Sequence, residues 1–546
     1  MSSNAHRGHV FVVQGDLAAL ACDDVLVPTD REGHVTAGFH ALLEGDLEPG
    51  GGFERRVGTE QDLGGGPVLV QGGDEGPRRW LVDTATGEVA QLVVQVERWV
   101  AAALACGEGA RPRHGRAKRL LGMPLVGTGE GGAAGRRGDV LAALLPVLNG
   151  LTHQRDVDIA LVLADPRDSS AAQEVRRRCA DDWPLEPELL ERADRLADLA
   201  RRGELALFVG AGVSRAAGLP MWDEMLSLLA DAAGVDDRER ERLTALPPPD
   251  VAQLLHRRLG EEAFAAQVRA MFDRREHALA HALLAALPVP QAVTTNYDPL
   301  LESAYAAARR PLRVLPSGHG TVGAAGTDAD TARPDAESPV VVELVKLHGD
   351  VSRPEEVVLT RESYVRLTDE RTALAGVVQA LLLTRHVLFV GFSLLDDTFI
   401  RVAHQTHRVL ARETRVGTAL GLRDDPIRRE LWEADLDYVS VAGSDTPLPE
   451  AARLLEIFLD RLAASSASRY GWLLDPRYAG LRTEPDSALA DAVGRLLAGL
   501  GDGARSSPGW PGLARALEHL GAAPEAVRDR SAPVRSLPAD SVGGLF

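Results

Sequence analysis

The chain has 546 residues, 45% of them hydrophobic, and a formal net charge of −19. That length is enough for roughly three domains, each burying its own core, and so acidic a balance argues against nonspecific binding to nucleic acid. The polar start MSSNAHRGHV is unlike a signal peptide, no run of 18 apolar residues stands out as a membrane span, and three cysteines suit a reducing cytoplasm.

Residues 1–182 have an α/β rhythm of their own. Apolar runs at 10–13, 24–27, 67–70, 79–82, 120–126 and 158–163 read as strands, and 88–106 and 138–149 as helices. The polar stretch 166–184 reads as a linker, and apolar residues at helical spacing predict a helix over 185–202. The apolar run 205–209 then ends in Gly210-Ala211-Gly212, followed by Ser214 and Gly218. A strand entering a glycine turn and a helix offers bare N–H groups to a phosphate, and glycine lets a pyrophosphate approach closely. The spacing is not that of G-x-G-x-x-G, whose third glycine would fall at Arg215, and there is no G-x-x-x-x-G-K-[ST] loop.

Three more apolar runs (292–293, 340–345 and 387–390) each end in a polar block, which places these blocks at the C-terminal ends of parallel strands, where open α/β sheets bind ligands. Between them, 316–339 reads as a mobile loop or insertion. Strands at 417–422 and 438–441 and a helix over 449–463 follow. The tail, 466–546, is rich in Pro, Gly, Ser and Asp, with two short helical patterns at 487–500 and 511–520.

The blocks GAGVSRAAGLPMW (210–222), QAVTTNYD (291–298), VKLHG (345–349) and VLFVGFSLLDD (387–397) resemble, in order, the motifs of the sirtuin family. The departures are informative. Protein-deacylating sirtuins hold zinc with four cysteines; this chain has Cys22, Cys106 and Cys179, and no CxxC. Pro220-Met221-Trp222-Asp223 stands where many deacylases carry Asp-Phe-Arg. The chain is therefore similar to the zinc-free, sirtuin-like NAD hydrolases of bacterial antiphage systems. The resemblance implies a Rossmann-type parallel sheet without a zinc module over 183–465, NAD as substrate and no metal. NAD would be held by Gly210, Ala211, Gly212, Ser214, Trp222, Thr295, Gly391, Ser393 and Asp396. Asn296 would orient water or the carboxamide with its two-faced amide, or only stabilise its turn. Asp298 would bind nicotinamide, fix Asn296 or cap the following helix. His348 would be the general base or a ribose-hydroxyl partner. Asp396 and Asp397 are as readily helix caps.

The N-terminal region has a second resemblance. VFVVQGDLAALACDDVLVPTD and GMPLVGTGEGG (122–132) resemble the opening strand and the phosphate loop of a macrodomain. This implies an ADP-ribose-type ligand, with Asp16 on the adenine amino group and Gly127, Gly129, Gly131 and Gly132 on the phosphates. Val27-Pro28-Thr29-Asp30 replaces the Asn-rich loop of macrodomain hydrolases, which favours binding over hydrolysis. The alternative is a generic α/β domain that supports the enzyme.

Two weaker patterns remain. His277 and His281 share a face at i,i+4 but lack the glutamate of H-E-x-x-H, so they read with His404 and His407 as solvated helix faces. No G-x-S-x-G elbow supports a serine hydrolase. The expected protein is an α/β NAD glycohydrolase of antiphage defence, a homo-oligomer, in three parts: a macrodomain-like nucleotide sensor (1–182), a sirtuin-like catalytic domain (183–465) and a partly helical extension (466–546). The alternatives are an NAD-dependent deacylase or ADP-ribosyltransferase, and a noncatalytic NAD or ADP-ribose sensor.

Overall fold

The computed structural model describes residues 7–43, 54–57, 63–70, 76–129, 131–179, 183–316, 321–322, 341–370, 372–394, 396–407, 415–523 and 527. Two sheets organise them. The first contains β1 (Val10–Gln14), β2 (Asp24–Thr29), β3 (Val68–Val70), β4 (Arg78–Asp83), β5 (Arg119–Pro124) and β6 (Val157–Leu163). Their order is β1-β6-β5-β2-β4-β3, parallel except for β3 at the edge. Parallel strands are covered on both faces, which is why they are continuous apolar runs. Along β1, Val10 and Val12 face a core with Trp99, Leu144 and Leu148, while Phe11 and Val13 face Leu196, Leu283 and Ile457.

The second sheet contains β7 (Leu205–Val209), β8 (Gln291–Thr294), β9 (Leu312–Leu315), β10 (Thr321–Val322), β11 (Val342–Lys346), β12 (His386–Val390), β13 (Gly417–Gly421) and β14 (Leu436–Ser440). Their order is β10-β9-β11-β8-β7-β12-β13-β14, parallel except for β10. Without β9 and β10 this is the 3-2-1-4-5-6 order of a Rossmann sheet, whose direction of progression reverses between β7 and β12. Helices Leu279–Ala286 and Leu448–Ser466 lie in the core that joins the two sheets.

Three expectations change. The segment expected as a linker, 166–184, is mostly the helix Pro166–Arg178, with Ala171, Ala172 and Val175 buried. Asp165 caps it by accepting from Arg167 N at 2.9 Å, and Pro166 occupies the first turn, a standard helix start that the charge density masks. Second, the tail is partly core: Trp472, Leu473, Tyr478 and Leu481 pack into the first sheet's cluster. Third, helix Val89–Cys106 is long and apolar enough by composition to cross a membrane; its Leu92, Val96, Trp99, Val100 and Ala103 are buried in the first sheet's cluster. Most of the 316–339 loop lies outside the described residues.

Candidate functional site

The register of four neighbouring strands sets the site. Val390 of β12 pairs with Val209 of β7, Val209 with Thr294 of β8, and Thr294 with Lys346 of β11. One residue past this row come Gly391, Gly210 and Thr295; two residues past it come Ala211, Asn296 and His348. The sheet thus delivers blocks scattered from 210 to 391 to one edge, at its switch point.

The glycines have a role that the sequence does not suggest. Gly210 N donates to Val390 O and Gly212 N to Gly391 O, both at 2.9 Å. A Cβ on Gly210 would lie 2.5 Å from Gly391 O, and one on Gly212 would lie 2.9 Å from it. Gly391 has φ +63°, and its Cβ would meet Val213 N at 2.6 Å. These glycines let two backbone turns pack on each other across the switch point, beyond any approach of a phosphate.

Beneath the turns is a buried polar network. Asn296, Asp298, Ser214 and His281 are each less than 8% exposed. Ser214 Oγ donates to Asp298 Oδ2 at 2.9 Å, accepts from Asn296 Nδ2 at 3.1 Å and lies 3.2 Å from His281 Nε2. Asn296 Nδ2 also donates to Gly210 O at 3.3 Å. A carbonyl only accepts, so the amide nitrogen must face Gly210. Asn296 Oδ1 is then left buried with no hydrogen-bond partner among the described residues. Buried acceptors are seldom left unpaired in folds, except where a ligand or water is to be bound. Asp298 also caps the next helix, accepting from Leu300 N at 3.1 Å, and burial pushes its carboxyl above the usual range.

His348 is buried, with Nε2 3.3 Å from Asp396 Oδ2 and its ring edge-on to Tyr364 at 5.6 Å. Gly349 follows it at φ +88°, where a Cβ would lie 2.3 Å from Glu356 O. The Gly after His348 is therefore structural, and it fixes the histidine's turn. Asp396 both faces His348 and caps its helix, accepting from Phe399 N at 2.9 Å. Ser393 is exposed, Thr295 is half-buried, and Trp222 packs half-buried beside Leu219 and Met225 at a helix start. The side chain of Asp397, like those of His404 and His407, lies outside the described residues.

Two features went unread. His277 and His281 are no solvated face: both are buried, His277 ahead of the helix in a bridge to Leu20 and His281 in the network. Burial pushes both imidazoles down to about 3. Lys346 is also buried, with Nζ donating to Glu302 at 2.6 Å, Asp350 at 2.7 Å and Asp298 O at 2.9 Å. Burial pulls its ammonium down, but Glu302 and Asp350 raise it further, and the balance is above its usual value. It ties the loop after β8 to the loop after β11.

In the first sheet, Asp16, Gly127, Gly129 and Gly131 line one cavity of about 640 Å³. Asp16 is exposed and caps its own turn, accepting from Ala18 N at 2.9 Å. Gly127 has φ +70°, and a Cβ on Gly131 would lie 2.7 Å from Thr84 O, so both are required by the loop itself; Gly129 faces open space. Arg137 braces this loop, donating to Thr128 O at 3.1 Å and Asp168 Oδ1 at 2.8 Å. At the rim, the ligand atoms of Asp30, Glu32 and His34 lie within 4.8 Å of one another, with His34 Nδ1 2.8 Å from Asp30 Oδ2. The cavity's far wall comes from the second sheet's side: Ala306, Ala307 and Arg309.

Residues 290–437 match the model of the SIR2-like domain. This segment carries Asn296, Asp298, His348 and Gly391; the 210–218 turn lies before it. The chain is 28% identical over 232 residues to an NAD(+) hydrolase ThsA of Enterococcus faecium, covering 40% of this chain and 44% of that protein. It is 26% identical over 235 residues to an NAD(+) hydrolase ThsA of Bacillus cereus (strain MSX-D12), covering 43% and 46%. It is 24% identical over 226 residues to Defense-associated sirtuin 2 of Bacillus subtilis, covering 39% of this chain and 20% of that protein. The chain thus spans less than half the length of these relatives.

Proposed function

We propose that the protein is an NAD glycohydrolase that cleaves NAD to nicotinamide and ADP-ribose, as an effector of antiphage defence. The observation that carries this reading is the row of Gly210, Asn296, His348 and Gly391 at the switch point, with Asn296 Oδ1 unpartnered among the described residues. Relatives named as NAD(+) hydrolases support it. The glycosidic bond between ribose C1′ and the nicotinamide nitrogen breaks through an oxocarbenium-like state, and a water oxygen bonds to C1′. Asn296 Oδ1 accepts a hydrogen bond from that water. His348, beside Asp396, takes the water's proton.

The same reading makes the first sheet's cavity the seat of an ADP-ribose-type signal, with adenine at Asp16 and phosphates at Gly127–Gly131. Its support is a physical connection between the two sites. Helix Leu300–Ala307 starts at Asp298 and ends in the cavity wall, and Gln14 Nε2 donates to Ala308 O at 2.8 Å. The turn after Asp16 is bonded to the histidine segment: Ala21 N donates to His277 O at 2.9 Å and His277 N to Ala19 O at 2.8 Å. Moving a resting enzyme from about 1% to about 99% active requires roughly 5.5 kcal/mol of preference for the active state.

The test is nicotinamide release from NAD by the pure protein, without peptide, with and without ADP-ribose or its cyclic isomers. Asn296→Ala and His348→Ala should each lower turnover by about 10²–10⁴ while staying folded. Near-wild-type turnover in both would overturn the catalytic assignment. Release only with an acylated peptide would make the protein a deacylase. Binding without turnover would make it a sensor.

A further inference from the structure

We propose that His281 is a positioning residue for NAD cleavage: it fixes the direction of the Ser214 hydroxyl proton, and through Ser214 it holds the Asn296 amide with its oxygen free for the attacking water. This rests on the catalytic reading above.

The argument is one of donors and acceptors. His281 sits in the first turn of helix Leu279–Ala286 and is fully buried. Its Nδ1 accepts from Ala278 N at 3.2 Å. A nitrogen that accepts carries no proton, and burial keeps the ring neutral, so the single ring proton is on Nε2. Nε2 therefore donates to Ser214 Oγ, 3.2 Å away. Ser214 Oγ accepts a second bond from Asn296 Nδ2. A hydroxyl has two acceptor positions and one proton. Both positions are filled, so the proton has one destination, Asp298 Oδ2. With the opposite tautomer, Nε2 would compete with Asp298 for that proton and release the rotor. The Ala278 N–H thus sets the tautomer, and the tautomer sets the network. His281 acts through Ser214 and is given no contact with NAD.

The test separates the two ends of the ring. His281→Asn keeps an acceptor near the Nδ1 position for Ala278 N–H but cannot reach Ser214. His281→Gln places an N–H near the Nε2 position. We expect His281→Asn to lower kcat for NAD roughly 10- to 100-fold, as small displacements of reacting groups do, with KM within about threefold of wild type. His281→Gln should restore kcat to within several-fold. Ser214→Ala, which removes the hub with no change at His281, should lose kcat to a similar degree, and adding His281→Asn to it should cost nothing more. Wild-type kcat in His281→Asn or in Ser214→Ala, with Asn296→Ala inactive, would overturn the role of His281 alone. So would a folded His281→Gln as slow as His281→Asn, or losses that add in the double variant. A wild-type protein that releases no nicotinamide from NAD would overturn the catalytic reading and this proposal with it.

Discussion

Alanine at Gly391 or Gly210 should cost stability before it costs NAD affinity. At Gly391 the new Cβ meets Val213 N at 2.6 Å, and the backbone holds φ +63°. At Gly210 it meets Gly391 O at 2.5 Å and Phe392 Cα at 2.6 Å. These neighbours are all backbone, so no rotamer change relieves the contact. Overpacking of this kind costs about 1–3 kcal/mol, and the left-handed conformation adds about 1 kcal/mol for a residue with a Cβ. The sum at Gly391 is roughly 2–4 kcal/mol, which in a module of a few hundred residues lowers Tm by roughly 4–10 °C. Gly129→Ala is the control, because among the described residues no heavy atom beyond its chain neighbours lies within 4 Å of its Cβ. It should melt like the wild type and, on the proposed signal-binding reading, weaken nucleotide binding. Thermal melts with and without NAD, alongside NAD turnover, provide the comparison. If Gly391→Ala and Gly210→Ala melted like the wild type and changed only KM, the glycines would serve ligand approach alone and the packing argument would be refuted.

The buried histidines predict acid sensitivity. Unfolded imidazoles take up protons near pH 6.5, while folded His277 and His281 resist until about pH 3. The unfolded state binds more protons in that window, so stability falls as pH drops through it, by up to about 1.4 kcal/mol per pH unit per histidine. Replacing His281 with Gln should flatten the dependence of Tm on pH between 6 and 4; an unchanged slope would mean that the imidazole already titrates in the fold. Chelation should leave melting and NAD turnover unchanged, since the three cysteines are free and Cys22 is buried. Stoichiometric zinc whose removal stops turnover would require a site built from His and carboxylate groups instead.

Strand ends were legible because an apolar run that stops at a polar residue reports its own boundary. Asn296, His348 and Gly391 could therefore be singled out one at a time. That they share one edge depends on the pairing Val390–Val209–Thr294–Lys346, which joins residues up to 181 positions apart and leaves no local trace. His281 was misread for a related reason. Spacing of i,i+4 presumes one helix, but His277 is held ahead of the helix by Leu20, from near the start of the chain. Likewise, Pro166–Arg178 looks too charged for a core helix until Arg176 is seen bonded to Asp460, at 3.1 and 3.0 Å. Lys346 hides inside an apolar run because its partners, Glu302 and Asp350, come from the helix after β8 and the loop after β11.

These misreadings have one physical source. Sequence periodicity treats a polar residue as a mark of solvent, and burial of a polar group is affordable only when distant partners satisfy it. Some of these partners are far away in the chain, as Asp460 is from Arg176, and bonds of that kind tie the first sheet's side to helix Leu448–Ser466. Arg453 lies against Asp158 at 2.9 Å and His9 against Asp460 at 2.8 Å, both through helix Leu448–Ser466. Removing one partner of such a pair strands a buried charge, at about 3–5 kcal/mol. A contact surface built this way resists sliding, because every displacement unpairs several charges together. On the proposed signal-binding reading, a signal at the first sheet would reach Asn296 by way of helix Leu300–Ala307 and the Leu20–His277 bridge, moving them together with their own ion pairs, Glu302–Lys346 and Arg113–Glu276.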